Sequence, residues 1–260
     1  FKIRVTDKVG GIHTKDFSLA VTPPVSVSGV VNGASWQSGA VAPGEIVTLT
    51  GAGLGPSTLV GFRVSEGQLV SVLADTQVLF DGIPAPLIYV QERQASAIVP
   101  YAVAGTRETR VEVQYRGARS TAVRLSVAAS APGIFTADST GRGPGAILNQ
   151  DYTLNSAANP AEKGSVVQIY ATGEGETDPQ VADGRLASAE VLPRPKLPVS
   201  VKIGGLDAEV QYAGAAPGLV VGLLQVNVRV PANAPSGNAV PVLLTVGSAS
   251  SQPGVTLAVR

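Results

Sequence analysis

The sequence predicts an all-β chain, two tandem immunoglobulin-like β-sandwiches preceded by a β-hairpin, and three observations carry that expectation. The stretch GEIVTLTGAGLG at positions 44–55 returns as GSVVQIYATGEG at 164–175, so one strand and its closing Gly-x-Gly bend occur twice. The composition has 30 Gly and 19 Pro with only 15% charged residues, which favours many short strands between punctuated turns over helices. Finally, 260 residues accommodate about two domains of ~100–150 residues each, in agreement with the spacing of the repeat.

In chain order, residues 1–24 read as a hairpin from an incomplete or shared immunoglobulin-like domain. Phe1, Ile3 and Val5 alternate on one strand and Phe17, Leu19 and Val21 on the other, around a Gly10-Gly11 turn, and Pro23-Pro24 stops the second. A lone two-stranded hairpin is marginal in water, so this one is expected to pair with an upstream domain, an edge of the first sandwich, or a neighbouring molecule. The chain starts at Phe1 without an initiator methionine, as a mature product or a fragment does.

Residues 25–128 are expected to form the first sandwich, 129–145 a linker with Ile134 and Phe135 tucked into an interdomain seam, and 146–260 the second sandwich. The second unit follows the first in order. AILN at 146–149 answers GVVN at 29–32, GLDAEVQY at 205–212 answers GIPAPLIY at 82–89, and QVNVRVP at 225–231 answers QASAIVP at 94–100. The final VTLAV at 255–259 answers VRLSV at 123–127. Offsets that drift while the order holds place the insertions in loops.

The phrases PGEIVTLTGAGLGP, FDGIPAPLIYV, APGIFT and GAILNQDYTLNSAANPAEKGSVVQIYATGEGETDP resemble an uncharacterised C-terminal domain family of predicted secreted acidobacterial proteins, over roughly Val25 to Arg260. They also resemble tandem IPT/TIG-type immunoglobulin-like domains, while RVTD and FSLAVTP resemble the end of a cadherin-like repeat of bacterial surface proteins. The resemblance implies export and a position behind other modules. It implies no activity, and hence no catalytic residue and no cofactor.

Composition and motifs narrow the function further. Nineteen basic and nineteen acidic residues cancel without a basic run, against a nucleic-acid partner. No apolar run of ~18 residues exists to span a membrane. With no Cys and a single His, a zinc site would need a carboxylate-dominated shell that zinc rarely uses. His13 lies in the hairpin, far in sequence from any nucleophile and acid that could complete a triad, and is expected to be a solvated turn residue. The scattered acids offer no reason to expect the facing pair that glycoside hydrolysis needs.

Glu174, Glu176, Asp178 and Asp183 are oxygen donors in one acidic stretch and form a calcium candidate, against the alternative of a solvated loop. Asn149, Asp151 and Asn155 read instead as a turn built on Asx chemistry. Among aromatics, Tyr89 and Tyr212 sit at equivalent repeat positions, which suggests a shared packing role. Trp36 and Tyr101 have no counterparts and lie in loops, which makes them the candidates for exposed binding residues, against the favoured alternative that they pack, as large aromatics do. The functional expectation is a non-enzymatic extracellular structural or adhesive module of a bacterial cell-surface or appendage protein, whose partners are proteins or copies of itself joined through strand edges and the hairpin. The alternative is a carbohydrate-binding or spacer module of a secreted hydrolase.

Overall fold

A computed structural model describes residues 2–17 and 24–260. It is nearly all β. Among the described residues the strands of four residues or more are β1 (Lys2–Thr6), β2 (Ile12–Asp16), β3 (Ser26–Asn32), β4 (Ile46–Ala52), β5 (Thr76–Phe80), β6 (Leu87–Gln91), β7 (Gln94–Ile98) and β8 (Glu108–Tyr115). They continue with β9 (Val123–Ser126), β10 (Val166–Thr172), β11 (Val199–Ile203), β12 (Leu206–Ala215), β13 (Leu224–Arg229), β14 (Gly237–Val246) and β15 (Val255–Val259).

The N-terminal hairpin is tighter than its apolar pattern predicts. Strand β2 runs over Ile12–Asp16, with Val5 opposite His13 and Thr6 opposite Ile12. The reason is Asp7, whose carboxylate accepts the backbone N–H of Val9 at 2.9 Å and of Gly11 at 2.7 Å, closing the chain early with Gly10 at φ +88°. Leu19 and Val21, expected on the second strand, lie outside the described residues. Among the described residues β1 and β2 pair only with each other, and their side chains are exposed.

In the first sandwich one sheet runs β3-β4-β7-β6 and ends on the short edge strand Val60–Gly61, while the facing sheet joins β8 to β5 and β9. Strand β8 shows why the faces separate: Thr109, Val111, Val113 and Tyr115 alternate inward between more exposed residues. Val47, Leu49, Val78, Phe80, Leu87, Val111 and Val113 fill the space between the sheets.

The second sandwich repeats the pairing. β10 lies on β13 with Ile169 opposite Val226, as β4 lies on β7 with Leu49 opposite Ala95. One difference follows from two prolines. Strand β12 is continuous, pairing through Ala208 with β11 and from Glu209 onward with β13. In the first unit Pro84 and Pro86 stand in the matching stretch, where a missing N–H breaks the ladder, and Ile83–Pro84 pairs with β5 before β6 begins afresh. Val201, Ile203, Val226, Val228, Leu244 and Leu257 form the second core.

Segment 129–145 does more than connect. Gly133–Ile134 adds to β10, Gly143–Pro144 adds parallel to β15, and Ile134 is wholly buried in the second core. Phe135 instead packs on Ile46, Leu69 and Ile98 of the first sandwich together with Val220 and Leu223 of the second. Of the two residues expected at the seam, Phe135 is there and Ile134 belongs to the core behind it.

Candidate functional site: the seam between the sandwiches

The two repeated Gly-rich stretches bring the sandwiches together. Gly44 opens β4 at φ +73° and Gly222 precedes β13 at φ +111°, and a Cβ on Gly222 would collide with the Gly44 carbonyl, so only glycine permits this approach. Beside them Thr172, the last residue of β10, joins the two units with one hydroxyl. It accepts the Ile46 N–H at 2.8 Å and donates to the Gly222 carbonyl at 2.7 Å.

Around this contact the polar side chains are buried. Asn32 ends β3, and its amide donates to Glu45 Oε1 at 2.8 Å and to the Ala131 carbonyl at 3.0 Å, while its Oδ1 accepts the N–H groups of Ala34 and Ser35. Glu45 is 1% exposed, and its Oε2 accepts the Ala42 N–H at 2.7 Å. Burial pushes its carboxyl up to about 8, against these two hydrogen bonds, and the neighbouring Glu174 adds to the rise. Glu174 is 2% exposed, burial pushes it up to about 7, and its Oε2 has no hydrogen-bond partner.

Tyr101 closes the other side of the seam, from the short 3-10 turn Tyr101–Val103 that follows β7. Of the two roles the sequence leaves open for it, exposed contact or packing, it takes the second: it is 5% exposed, packed with Ala187, Ala215 and Val221 of the second sandwich. Its ring abuts Gly44, its N–H donates to Asp183 Oδ1 at 2.8 Å, and its hydroxyl approaches the Thr177 side chain. Burial raises the phenol, and the charges of Glu174 and Asp183 raise it further. A large aromatic in a polar-looking loop finds its apolar burial across the domain boundary, which a single repeat unit cannot reveal.

The four acids weighed for calcium do not converge. Glu174 is buried in the seam, Glu176 pairs with Lys196 at 3.0 Å, Asp178 is exposed and Asp183 caps the Tyr101 N–H. Among the described residues no group of three or more acidic or imidazole side chains is placed to hold a metal. The solvated-loop alternative fails as well at Glu174, for that side chain faces the seam. The missed signal was the repeat itself, in which Glu174 stands where Leu54 stands in the first unit.

Two concave surfaces offer room for a partner. An apolar groove of about 270 Å³ runs along the seam between Ile46, Phe62, Val64 and Leu69 on one side and Leu219 and Val220 on the other. Phe62, Val64 and Leu219 are exposed. It lies beside Val60–Gly61, the open edge of the five-stranded sheet.

The second surface is a polar hollow of about 400 Å³ lined by Asn149, Gln150, Asp151, Asn159, Glu162 and Arg260. Here Asp151 Oδ1 accepts both the N–H and the hydroxyl of Thr153, and Asn155 donates to Asn149 Oδ1 at 2.9 Å, the turn chemistry the sequence suggests. Tyr152 next to Asp151 is 73% exposed at φ +66°.

Trp36, 39% exposed at φ +58°, has a counterpart after all: both aromatics follow a buried asparagine, Asn32 or Asn149, whose carbonyl accepts the Trp36 or the Tyr152 N–H. The Trp36 indole donates to the Ser139 carbonyl at 2.7 Å. Tyr89 and Tyr212 also match, each following a one-residue bulge in β6 or β12. His13 stays in the exposed hairpin opposite Val5.

Residues 30–127, the first sandwich, match the family model for the IPT/TIG domain. No curated protein matches the sequence. Among solved structures, the plexin A4 full extracellular region aligns at 13% identity with a TM-score of 0.29, over 90% of this chain and 18% of that one. No described helix is long and apolar enough to cross a membrane.

Proposed function

We propose that this chain is a non-enzymatic structural or adhesive module of an extracellular cell-surface or appendage protein, and that it associates with copies of itself. The apolar groove along the seam carries the reading, because Phe62, Val64 and Leu219 stand exposed beside an open sheet edge. The occupant we assign to it is the β1–β2 hairpin of a second copy. Ile3 and Val5 lie on one exposed face of that hairpin, and its strand edges can extend the Val60–Gly61 edge by β-strand addition. The IPT/TIG match over residues 30–127 supports an interaction module over an enzyme.

Sedimentation velocity over a concentration series tests this. The full chain should associate, and both Phe62→Asp and removal of residues 1–22 should leave a monomer. A chain that stays monomeric at high concentration, or assembly that survives both changes, overturns the reading.

A second reading, a carbohydrate-binding or spacer module of a secreted hydrolase, draws on the exposed Tyr152 next to the hollow of Asn149, Asp151, Asn159 and Arg260. An aromatic face beside amides and carboxylates suits a sugar. Oligosaccharide titrations should then shift the amide resonances of residues 149–162 in the parent chain and not in Tyr152→Ala, and unchanged spectra of the parent remove this reading.

A further inference from the structure

The seam holds more buried acid than a structural joint requires. Glu45 at the start of β4 and Glu174 just after β10 are both sealed from solvent, one on each sandwich, and the Glu174 carboxyl disfavours ionisation of Glu45. Tyr101 from the 3-10 turn lies by Glu174, with Asp183 from the loop after Asp178 on the Tyr101 N–H, and both are neutral or acidic. Basic groups of the flanking loops are engaged elsewhere. Lys196 pairs with Glu176 at the half-exposed rim, Arg194 lies over the Tyr212 ring, and Arg185 donates to the Glu66 carbonyl. Neither Glu45 nor Glu174 has an ion-pair partner among the described residues.

We propose that the seam is a proton-operated latch, in which neutral Glu45 and Glu174 hold the two sandwiches in one orientation and their ionisation releases it. The physical step is a proton lost to solvent from each carboxyl. An ionised Glu174 would carry a buried charge on an oxygen with no donor, beside a second carboxylate, and the arrangement can relieve this only by admitting water. The Leu69–Gly184 and Leu186–Gly67 backbone bonds and the apolar contacts of Tyr101 and Phe135 also tie the sandwiches, but around the acids Thr172, Asn32 and Tyr101 reach the partner unit or its lead-in segment by single hydrogen bonds, and water can enter between them. The cores on either side contain only apolar clusters and have no reason to respond.

The absence of cysteine allows a direct test on the full chain. Dyes placed at Ser57→Cys and Ser236→Cys, exposed positions on the two sandwiches, report their separation by single-molecule energy transfer. One narrow distance is expected at about pH 5.5, broadening as pH rises with a midpoint between about 7 and about 8, while far-UV circular dichroism stays constant. Glu174→Leu, which installs the residue of the first repeat, and Glu174→Gln, which keeps the shape without the charge, should both reduce the broadening or move it to higher pH. An unchanged distribution across this range in the parent chain, broadening untouched by both substitutions, or loss of secondary structure in parallel with broadening would each overturn the latch.

Discussion

Glu174 takes in the second sandwich the place that Leu54 takes in the first, two residues beyond the end of equivalent strands, and both side chains are buried, at 2% and 0% exposure. Leu54 completes an apolar core, whereas Glu174 turns the same position into part of a polar joint with Glu45, Asn32 and Tyr101 around it. One unit used twice makes the scaffold, and differences at a few positions make the contact between its copies.

The close approach of Gly222 to Gly44 makes the joint sensitive to a single methyl group. Gly222→Ala should cost at least ~1–3 kcal/mol from its positive φ alone, and more from the collision with the Gly44 carbonyl. Gly254→Ala, at φ +86° with open space around it, should lose only the backbone contribution of ~1–2 kcal/mol. Urea denaturation of both variants decides the matter. Equal losses would show that the seam contact adds nothing.

Ile134 should behave as a core residue despite its place in a Pro- and Gly-rich connection. It is fully buried among Ile147, Ile169 and neighbouring residues, so Ile134→Ala should destabilise by ~2–5 kcal/mol, as a buried cavity does. A loss below ~1 kcal/mol in equilibrium unfolding would return segment 129–145 to the status of a simple tether.

Folding should be indifferent to calcium. Glu174, Glu176, Asp178 and Asp183 point to separate surroundings, and both cores are apolar. Thermal midpoints with calcium and with a chelator should coincide, and a large drop on chelation would contradict the separation of these acids.

How much of this was readable beforehand depends on where each residue finds its partner. The strands, their order and the repeat follow from alternation and turn residues that act within one unit. The seam does not. Tyr101 in PYAVAG and Glu174 in GEGET read as loop residues because their burial comes from the other sandwich, more than 70 positions away in the case of Asp183 and Tyr101. Trp36 and Tyr152 escaped as a pair for a smaller reason: their loops differ in length by one residue, so the aromatics fall out of register although the preceding asparagines match. The hairpin register was set by Asp7, a side chain that an apolar pattern ignores.

The buried acids give the account its most direct test, which is folding stability against pH. Both carboxyls lie above their ordinary value of 4.5, Glu45 at about 8 and Glu174 at about 7, so the folded chain holds protons that the unfolded chain has released. Stability is therefore fullest near the unfolded value and falls as pH rises through both folded values. Asp183, also raised, adds in the same direction, while Asp138 and Asp151 are lowered from 3.8 and act only at more acid pH. Each tenfold difference in proton affinity between the folded and unfolded chain is worth ~1.4 kcal/mol. Urea unfolding at about pH 5.5 and about pH 8.5 should therefore show roughly 2–5 kcal/mol less stability at the higher pH, and a smaller difference in Glu174→Leu. Stability that is level or rising over this interval would contradict the buried acid pair at the heart of the seam.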